Sequence, residues 1–324
     1  MDVLSEVLRA VHLEGALYFN GEFSAPWCVD TRSVDLAPYL TPMPAHVIIY
    51  HLVTEGKAYA RLPGQPRVDL AAGDIVIFPH GDAHIMGNGS PLKPVDSLKT
   101  FAGNLTQGLK LARFGGGGEI TRFVCGYMAC QPRLCEVVLA GLPRLLKVRI
   151  TDHPSGKWLE SSIRFAVAEG HPPKAGSSLV LARLAEVLFV ETLRCYINSL
   201  PAEQTGWLAG ARDAVIGQVL SLLHESPAHP WTVEELARRA GTSRSRLAER
   251  FRYFLNESPM AYLTRWRLSM AAGRLQSSDE TVAAVAEGVG YQSETAFNRA
   301  FRKQFDVPPA QFRRMRQSVT ATPG

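Results

Sequence analysis

One pattern occurs twice between Trp231 and the C-terminus, and no other feature restricts the fold as much. In its first copy, Trp231-Thr232-Val233-Glu234-Glu235 reads as a capping box, with Thr232 as the cap and Glu235 three residues on. Trp231 and Leu236 are placed as the accompanying hydrophobic staple. The helix is expected to run to Ala240 and to stop at Gly241. Ser243 then caps a second helix, whose buried stripe would be Leu247, Phe251, Phe254 and Leu255. Helix, short glycine turn, helix is the helix-turn-helix arrangement. In the second copy Ala286-Glu287-Gly288-Val289-Gly290 matches Ala237 to Gly241. Ser293 matches Ser243, Phe297 matches Leu247, Phe301 matches Phe251, Pro309 matches Pro259 and Phe312 matches Tyr262. The offset is 50 residues from the capping serine onward. Pro259 to about Leu275 (Met260, Leu263, Trp266, Arg267, Met270, Arg274) reads as one long helix joining the copies.

A rigid connector of that kind holds two recognition helices at a fixed separation. Successive major-groove faces of B-DNA lie about 34 Å apart, so one chain could read two adjacent segments. The charge agrees. From Trp231 on, 15 Lys and Arg stand against 9 Asp and Glu, whereas the preceding residues hold 20 against 21. Of those 15, all but Lys303 are arginine, whose planar donor fork suits phosphates and guanine edges. With Leu247 and Phe251 inward, Arg244, Ser245, Ala248, Glu249 and Arg252 face out. With Phe297 and Phe301 inward, Glu294, Thr295, Asn298, Arg299 and Arg302 face out.

Residues 231–316 resemble the DNA-binding domain of the AraC/XylS family of transcription regulators, most plainly over Val289-Gly290-Tyr291-Gln292-Ser293-Glu294-Thr295-Ala296-Phe297-Asn298-Arg299-Ala300-Phe301-Arg302-Lys303. The resemblance implies base reading by Ser245, Ala248 and Glu249, then by Glu294, Thr295, Asn298 and Arg299. Asn can pair with adenine, Arg with guanine and Glu with the cytosine amino group. Ala248 offers little beyond contact with a thymine methyl. Arg244, Arg250, Arg252, Arg302 and Lys303 suit phosphates, which position without specifying. The capping serines Ser243 and Ser293 complete the expected DNA-binding set.

The first ~110 residues carry short β-type runs, Val47 to Val53, Ala58 to Leu62 and Ile75 to Phe78. Turn signals separate them at Glu55-Gly56, Pro63-Gly64 and Ala72-Gly73-Asp74, which suggests an antiparallel sandwich or barrel. Gly115 to Gly118 lacks the lysine of a phosphate loop and reads as a turn. The spacing Gly73-x5-Pro79-x-Gly81-x2-His84-x3-Asn88 resembles the second motif of cupin barrels, and the domain is similar to cupin-type sensor domains. The His-x-His…Glu set that the first motif adds in cupin enzymes is absent from Ala45 to His51. His51 shares strand parity with Ile49 and Val53 and is expected to face inward toward His84. His51, His80 and His84 are the candidate effector-binding residues. No metal and no cofactor are expected.

The expected architecture is multidomain, α and β. A cupin-like β-barrel with dimerisation helices fills residues 1–200, and a linker and leading helix fill 201–230. An all-α domain with two helix-turn-helix units follows at 231–316, then a disordered tail at 317–324. Ser199 to Gly210 is the expected linker, with a helix from Ala211 to His224. Met1 to Leu8 reads as a short amphipathic helix rather than a signal peptide. Leu179 to Ile197 is too apolar for a helix with one solvated side, which implies a homodimer. Arg183, Glu186, Glu191 and Arg194 within it argue against a membrane span. Five cysteines (Cys28, Cys125, Cys130, Cys135, Cys195), an odd number without a secretory signal, read as buried inert thiols. The expected function is a cytoplasmic, ligand-responsive, sequence-specific regulator and not an enzyme. Its partners would be double-stranded DNA, an unknown small-molecule effector, a second copy and RNA polymerase. A cysteine-based redox regulator and a cupin-type enzyme with an accessory DNA-binding domain remain as alternatives.

Overall fold

The computed structural model describes residues 3–11, 14–32, 46–105, 109–130, 141–152, 156–170, 174–201 and 203–320, together with Gln107, Leu139 and Pro172. Cys135 and residues 321–324 of the expected tail lie outside them. The chain opens with helix α1 (Val3–Val11) and continues into strands β1 (Glu14–Ser24), β2 (Trp27–Thr31), β3 (His46–Glu55), β4 (Lys57–Arg61), β5 (Val68–Ala71), β6 (Asp74–Phe78), β7 (His84–Asn88) and β8 (Val95–Asp96). Helix α2 (Ser97–Leu105), strands β9 (Leu111–Gly115), β10 (Ile120–Cys130) and β11 (Leu146–Arg149), and helices α3 (Gly156–Gly170) and α4 (Ser177–Ser199) complete a β-rich unit. The helices that follow form a second compact unit, which α1 joins. Val3, Leu4 and Val7 are the buried side of α1, and α1 packs on the helix Ala214–Glu225 rather than on the strands that follow it.

The strands form a six-stranded sheet, ordered β11-β6-β3-β10-β1-β9, and a five-stranded sheet, ordered β5-β4-β7-β2-β8. The expected barrel is therefore two sheets around one core, not a closed ring. Each sheet ends on short edge strands, and the two-residue β8 is too short to carry a ladder onward. Phe19, Phe23, Trp27, Val76, Phe78, Met86 and Phe123 fill the space between the sheets. Helix α4 packs against β1, β10 and β11. Strand β3 lies between β6 and β10 and is buried continuously from Val47 to Val53, the signature of a strand without a wet side.

Cys28, Cys125 and Cys195 are buried free thiols, as expected for inert cysteines. Cys130 departs from that expectation and is disulfide-bonded. Among the described residues no helix is long and apolar enough to cross a membrane.

The second unit adds α5 (Trp207–Arg212), α6 (Ala214–Glu225), α7 (Val233–Arg239), α8 (Arg244–Leu255), α9 (Pro259–Ser277), α10 (Val282–Gly288), α11 (Glu294–Phe305) and α12 (Pro309–Thr320). Helix α5 corrects the expected linker. Pro201, Gly206 and Gly210 suggest a loose connection, yet Trp207, Leu208, Ala209 and Gly210 are all buried. The Trp207 indole donates to the Tyr262 hydroxyl at 2.7 Å, which ties this short helix into the core.

Candidate nucleic-acid interface and ligand pocket

Each helix-turn-helix is closed by the same local devices. Thr232 and Thr281 cap α7 and α10 by accepting the N–H of the third helical residue, Glu235 or Ala284, at 3.1 Å. The return half of the expected capping box is replaced, because the Glu235 carboxylate takes His229 and Arg239 instead. Both helices end on a glycine in the left-handed region, Gly241 at φ 63° and Gly290 at φ 88°. The next N–H then reaches back to the carbonyl of Ala237 or Ala286 at 2.9 Å, which closes the Schellman turn. Ser243 and Ser293 cap the recognition helices α8 and α11. Asn256 and Asp306, both left-handed, end them.

Between those caps the cores fix which way each recognition helix faces. Leu247, Phe251, Phe297 and Phe301 are fully buried, and Phe301 packs on Phe297, Phe305 and Phe312. Phe254 and Leu255, expected in the same stripe, are only half-buried. Ser243, Arg244, Ser245, Glu249, Arg252, Ser293, Glu294, Thr295, Arg299, Arg302 and Lys303 are exposed, with Ala248 and Asn298 half-exposed between them. Glu294, Asn298, Arg299, Arg302 and Lys303 line one open groove along α11. No acidic side chain among the described residues pairs with Arg252, Arg299, Arg302 or Lys303. Two positive charges on α8 have acidic partners. Arg244 makes an exposed ion pair with Glu234 at 2.8 Å.

Arg250 departs further from the phosphate role expected of it. Its guanidinium grips both oxygens of Asp213, which also caps α6 through the N–H groups of Val215 and Ile216 at 3.1 and 3.0 Å. Burial alone would raise the Asp213 carboxyl. Arg250 and the backbone donors outweigh burial and hold it below the ordinary carboxylate range. Asp213 therefore fixes the first recognition helix against α6. Nothing in the local sequence marks it, because its partner is 37 residues away.

In the β-rich unit the three candidate histidines divide. His80 is exposed, and its Nε2–H donates to the Leu142 carbonyl at 3.0 Å. His51 on β3 and His84 on β7 meet across the two sheets, Nε2 to Nε2, at 2.8 Å. Cys125, directly opposite His51 in the β3–β10 ladder, places its Sγ 2.8 Å from His51 Nδ1. The proton positions follow from the ends of this chain. The Asp82 carbonyl can only accept, so His84 donates to it from Nδ1 at 3.0 Å. Burial, partly offset by Asp82, pushes His84 down to about 4, so its Nε2 is bare and accepts from His51 Nε2–H. Burial, then the neighbouring His84, holds His51 neutral as well, and its Nδ1 accepts the Cys125 thiol proton. Burial pushes the Cys125 thiol up, which keeps that proton on sulfur. The result is a neutral relay, fully used within itself, with His84 also stacked on Phe78 at 3.6 Å.

His51 and Cys125 form part of the wall of a narrow cleft of about 50 Å³, lined also by Tyr18, Thr31 and Ser97 and by aromatic and apolar side chains that include Phe19, Phe23, Trp27 and Phe101. The sequence does not mark Phe19, Phe23, Trp27 or Phe101, and it marks Cys125 only as one of the five cysteines of the redox alternative. Strand parity was the one signal that could point to His51. Among the described residues no three His, Cys, Asp or Glu side chains converge as metal ligands.

Comparison with known proteins matches the same two regions. A cupin family model matches residues 2–198, and a helix-turn-helix domain model matches residues 236–315. A putative AraC-like transcription regulator of Streptomyces lividans is 33% identical over 97% of this chain and 98% of its own. One of the same description from Streptomyces antibioticus is 32% identical over 97% and 99%. The HTH-type transcriptional regulator AlkR of Acinetobacter baylyi is 28% identical over 97% and 99%. With paired helix-turn-helix units behind a cupin domain, the chain belongs to the AraC-like family of DNA-binding transcription regulators.

Proposed function

We propose that the chain acts in the cytoplasm as a ligand-responsive, dimeric regulator whose two recognition helices read adjacent major-groove segments. The observation that carries this reading is the pair of outward faces held by matching caps and cores. Arg299, Asn298, Thr295 and Glu294 read bases from α11, and Ser245, Ala248 and Glu249 read from α8. Arg244, Arg252, Arg302 and Lys303 take phosphates, while Ser243 and Ser293 present helix N-termini to the backbone. The β-rich unit serves as a sensor and not as an enzyme. This is supported by the commitment of His51, His84 and Cys125 to one another in the relay.

Dimerisation is supported by an apolar surface on two packed helices. Trp158 and Phe165 of α3 and Leu179, Val180 and Val187 of α4 are exposed, Leu179 to 62%. Large apolar side chains grouped in this way mark association surfaces. Bound at a promoter, the dimer would be positioned to contact RNA polymerase. The test is selection of DNA from a random pool by the purified full-length protein. A motif with two informative blocks about 10–10.5 base pairs apart is expected. Salt-sensitive retention without any motif would contradict the reading.

A further inference from the structure

The two helix-turn-helix units are joined by more than the helix between them. From α9, the half-buried Arg267 donates to two backbone carbonyls of the segment that leads into α7. Its Nε–H reaches Pro227 at 2.6 Å and its Nη2 reaches His229 at 2.8 Å. That segment is fastened to the first unit. The Trp231 indole donates to the Ser226 carbonyl at 2.9 Å, and His229 meets Glu235 of α7 at 3.1 Å. Ala228, between the two bonded carbonyls, stands against Gly290 in the turn of the second unit. A Cβ on that glycine would lie 2.7 Å from the Cα and carbonyl oxygen of Ala228 and 2.9 Å from Arg267 Nη2. Tyr291, the next residue, meets the buried Phe297 of α11 edge-on at 5.3 Å. Contact therefore runs from α7 through Arg267 to the core of the second recognition helix.

Two features set this junction apart from ordinary packing. Arg267 bonds main-chain carbonyls, which cannot turn away as a carboxylate side chain can, so its planar fork fixes the path of the segment itself. Burial, partly offset by Tyr291, lowers the Arg267 guanidinium from its ordinary value, so the bonds are made at a cost in hydration. The second feature is a difference between matching glycines. Gly241 and Gly290 share the left-handed turn, but among the described residues nothing lies within 4 Å of a Cβ built on Gly241. Only Gly290 also makes room for the other unit.

We propose that Arg267 is a positioning residue that holds the two recognition helices at one separation and so sets the spacing of the DNA segments the chain accepts. Helix α9 carries both units, and the off-axis bonds to Pro227 and His229 stop one from rocking against the other. Such pre-organisation favours the DNA whose blocks match it and penalises the rest. The proposal rests on the two-segment reading and names the residue that makes that reading selective for spacing.

The test is binding of the full-length protein, followed by fluorescence anisotropy, to three duplexes. One is the selected site, and the others have one base pair inserted or removed between its two blocks. One base pair turns the second block by about 35°. The wild type is expected to prefer the selected site by at least about tenfold. Arg267→Met keeps the length of the side chain and loses its donors. It should bind the selected site more weakly and bring the three duplexes to within about threefold of one another. An equal loss on all three would make Arg267 a phosphate contact or a folding residue, and would overturn the proposal, as would an unchanged preference. Should that variant not fold, Gly290→Asn and Gly241→Asn replace it. Asn tolerates the left-handed turn in both units, but only at position 290 does the added side chain press on Ala228. Gly290→Asn should lose the spacing preference and Gly241→Asn should keep it; any other pairing of results overturns the proposal. A wild type indifferent to spacing overturns the two-segment reading, and this proposal with it, before any variant is compared.

Discussion

The two helix-turn-helix units share a frame and differ at the centre of the face that the frame displays. Ser243 and Ser293, the glycine turns, the left-handed Asn256 and Asp306, and the buried Phe251 and Phe301 occupy matching places. On the outward face Arg244 is matched by Glu294, Ala248 by Asn298 and Glu249 by Arg299, and Arg250 is matched by Ala300. Caps and cores therefore set the orientation, and the remaining positions are left free to carry chemistry. The first unit spends an arginine on the Asp213 clamp and presents the small Ala248 at its centre. The second presents Asn298 and Arg299, the side chains best suited to adenine and guanine. The first unit also buries a polar cluster, Trp207, His224, Tyr262 and Trp266, where the second packs Phe305 and Phe312.

The shared frame should fail in the same way in either half. Phe251→Ala and Phe301→Ala each empty a fully buried position and should each cost about 3–5 kcal/mol in chemical denaturation. A difference between them larger than this range would break the equivalence of the two cores.

Acid should separate the halves. Burial, reinforced by the Arg265 charge, pushes His224 down to about 3, against an ordinary value of about 6.5 in the unfolded chain. The unfolded chain then binds the proton more tightly than the folded one. Stability is complete above pH 6.5 and is lost as pH falls toward 3, by about 3 kcal/mol at pH 4. Denaturation between pH 7 and 4 should show this slope added to that of the buried His51 and His84, and His224→Gln should remove its own share. A variant that kept the full slope would assign the acid sensitivity elsewhere, to the buried His84 for one.

DNA contacts should be unequal as well. Arg299→Ala should lose about 1–3 kcal/mol on the selected site and relax specificity at one base pair. Glu249→Ala in the matching place should lose less, and equal losses would contradict the contrast between the units. The smallest effect belongs to the clamp. Asp213→Ala removes a helix cap and the partner of a half-exposed arginine, and should cost about 1 kcal/mol of stability. Its test is DNA protection, which should weaken over the α8 segment before the α11 segment.

What could be read from the chain alone follows the range of the interactions. Caps, glycine turns and the spacing of Leu247, Phe251, Phe297 and Phe301 act over a few residues and are legible. Helix α5 is not, because its local composition is that of a turn and its stability comes from Tyr262, 55 residues away. Arg250 looks like any outward arginine until Asp213 is brought beside it. The parity of β3 puts His51 inside, but only the β3–β10 register supplies Cys125, 74 residues on. The closed barrel expected from the motif became two sheets for a related reason, since strand order and edges depend on pairing between distant segments.

The central claim is that one chain reads two successive groove segments through unequal faces. Hydroxyl-radical footprinting of the selected DNA, with the wild type and with Arg299→Ala, tests it most directly. Two protected segments about one helical turn apart are expected, and the variant should weaken the one under α11 more than the one under α8. A single protected segment, or an equal loss from both, would contradict the account.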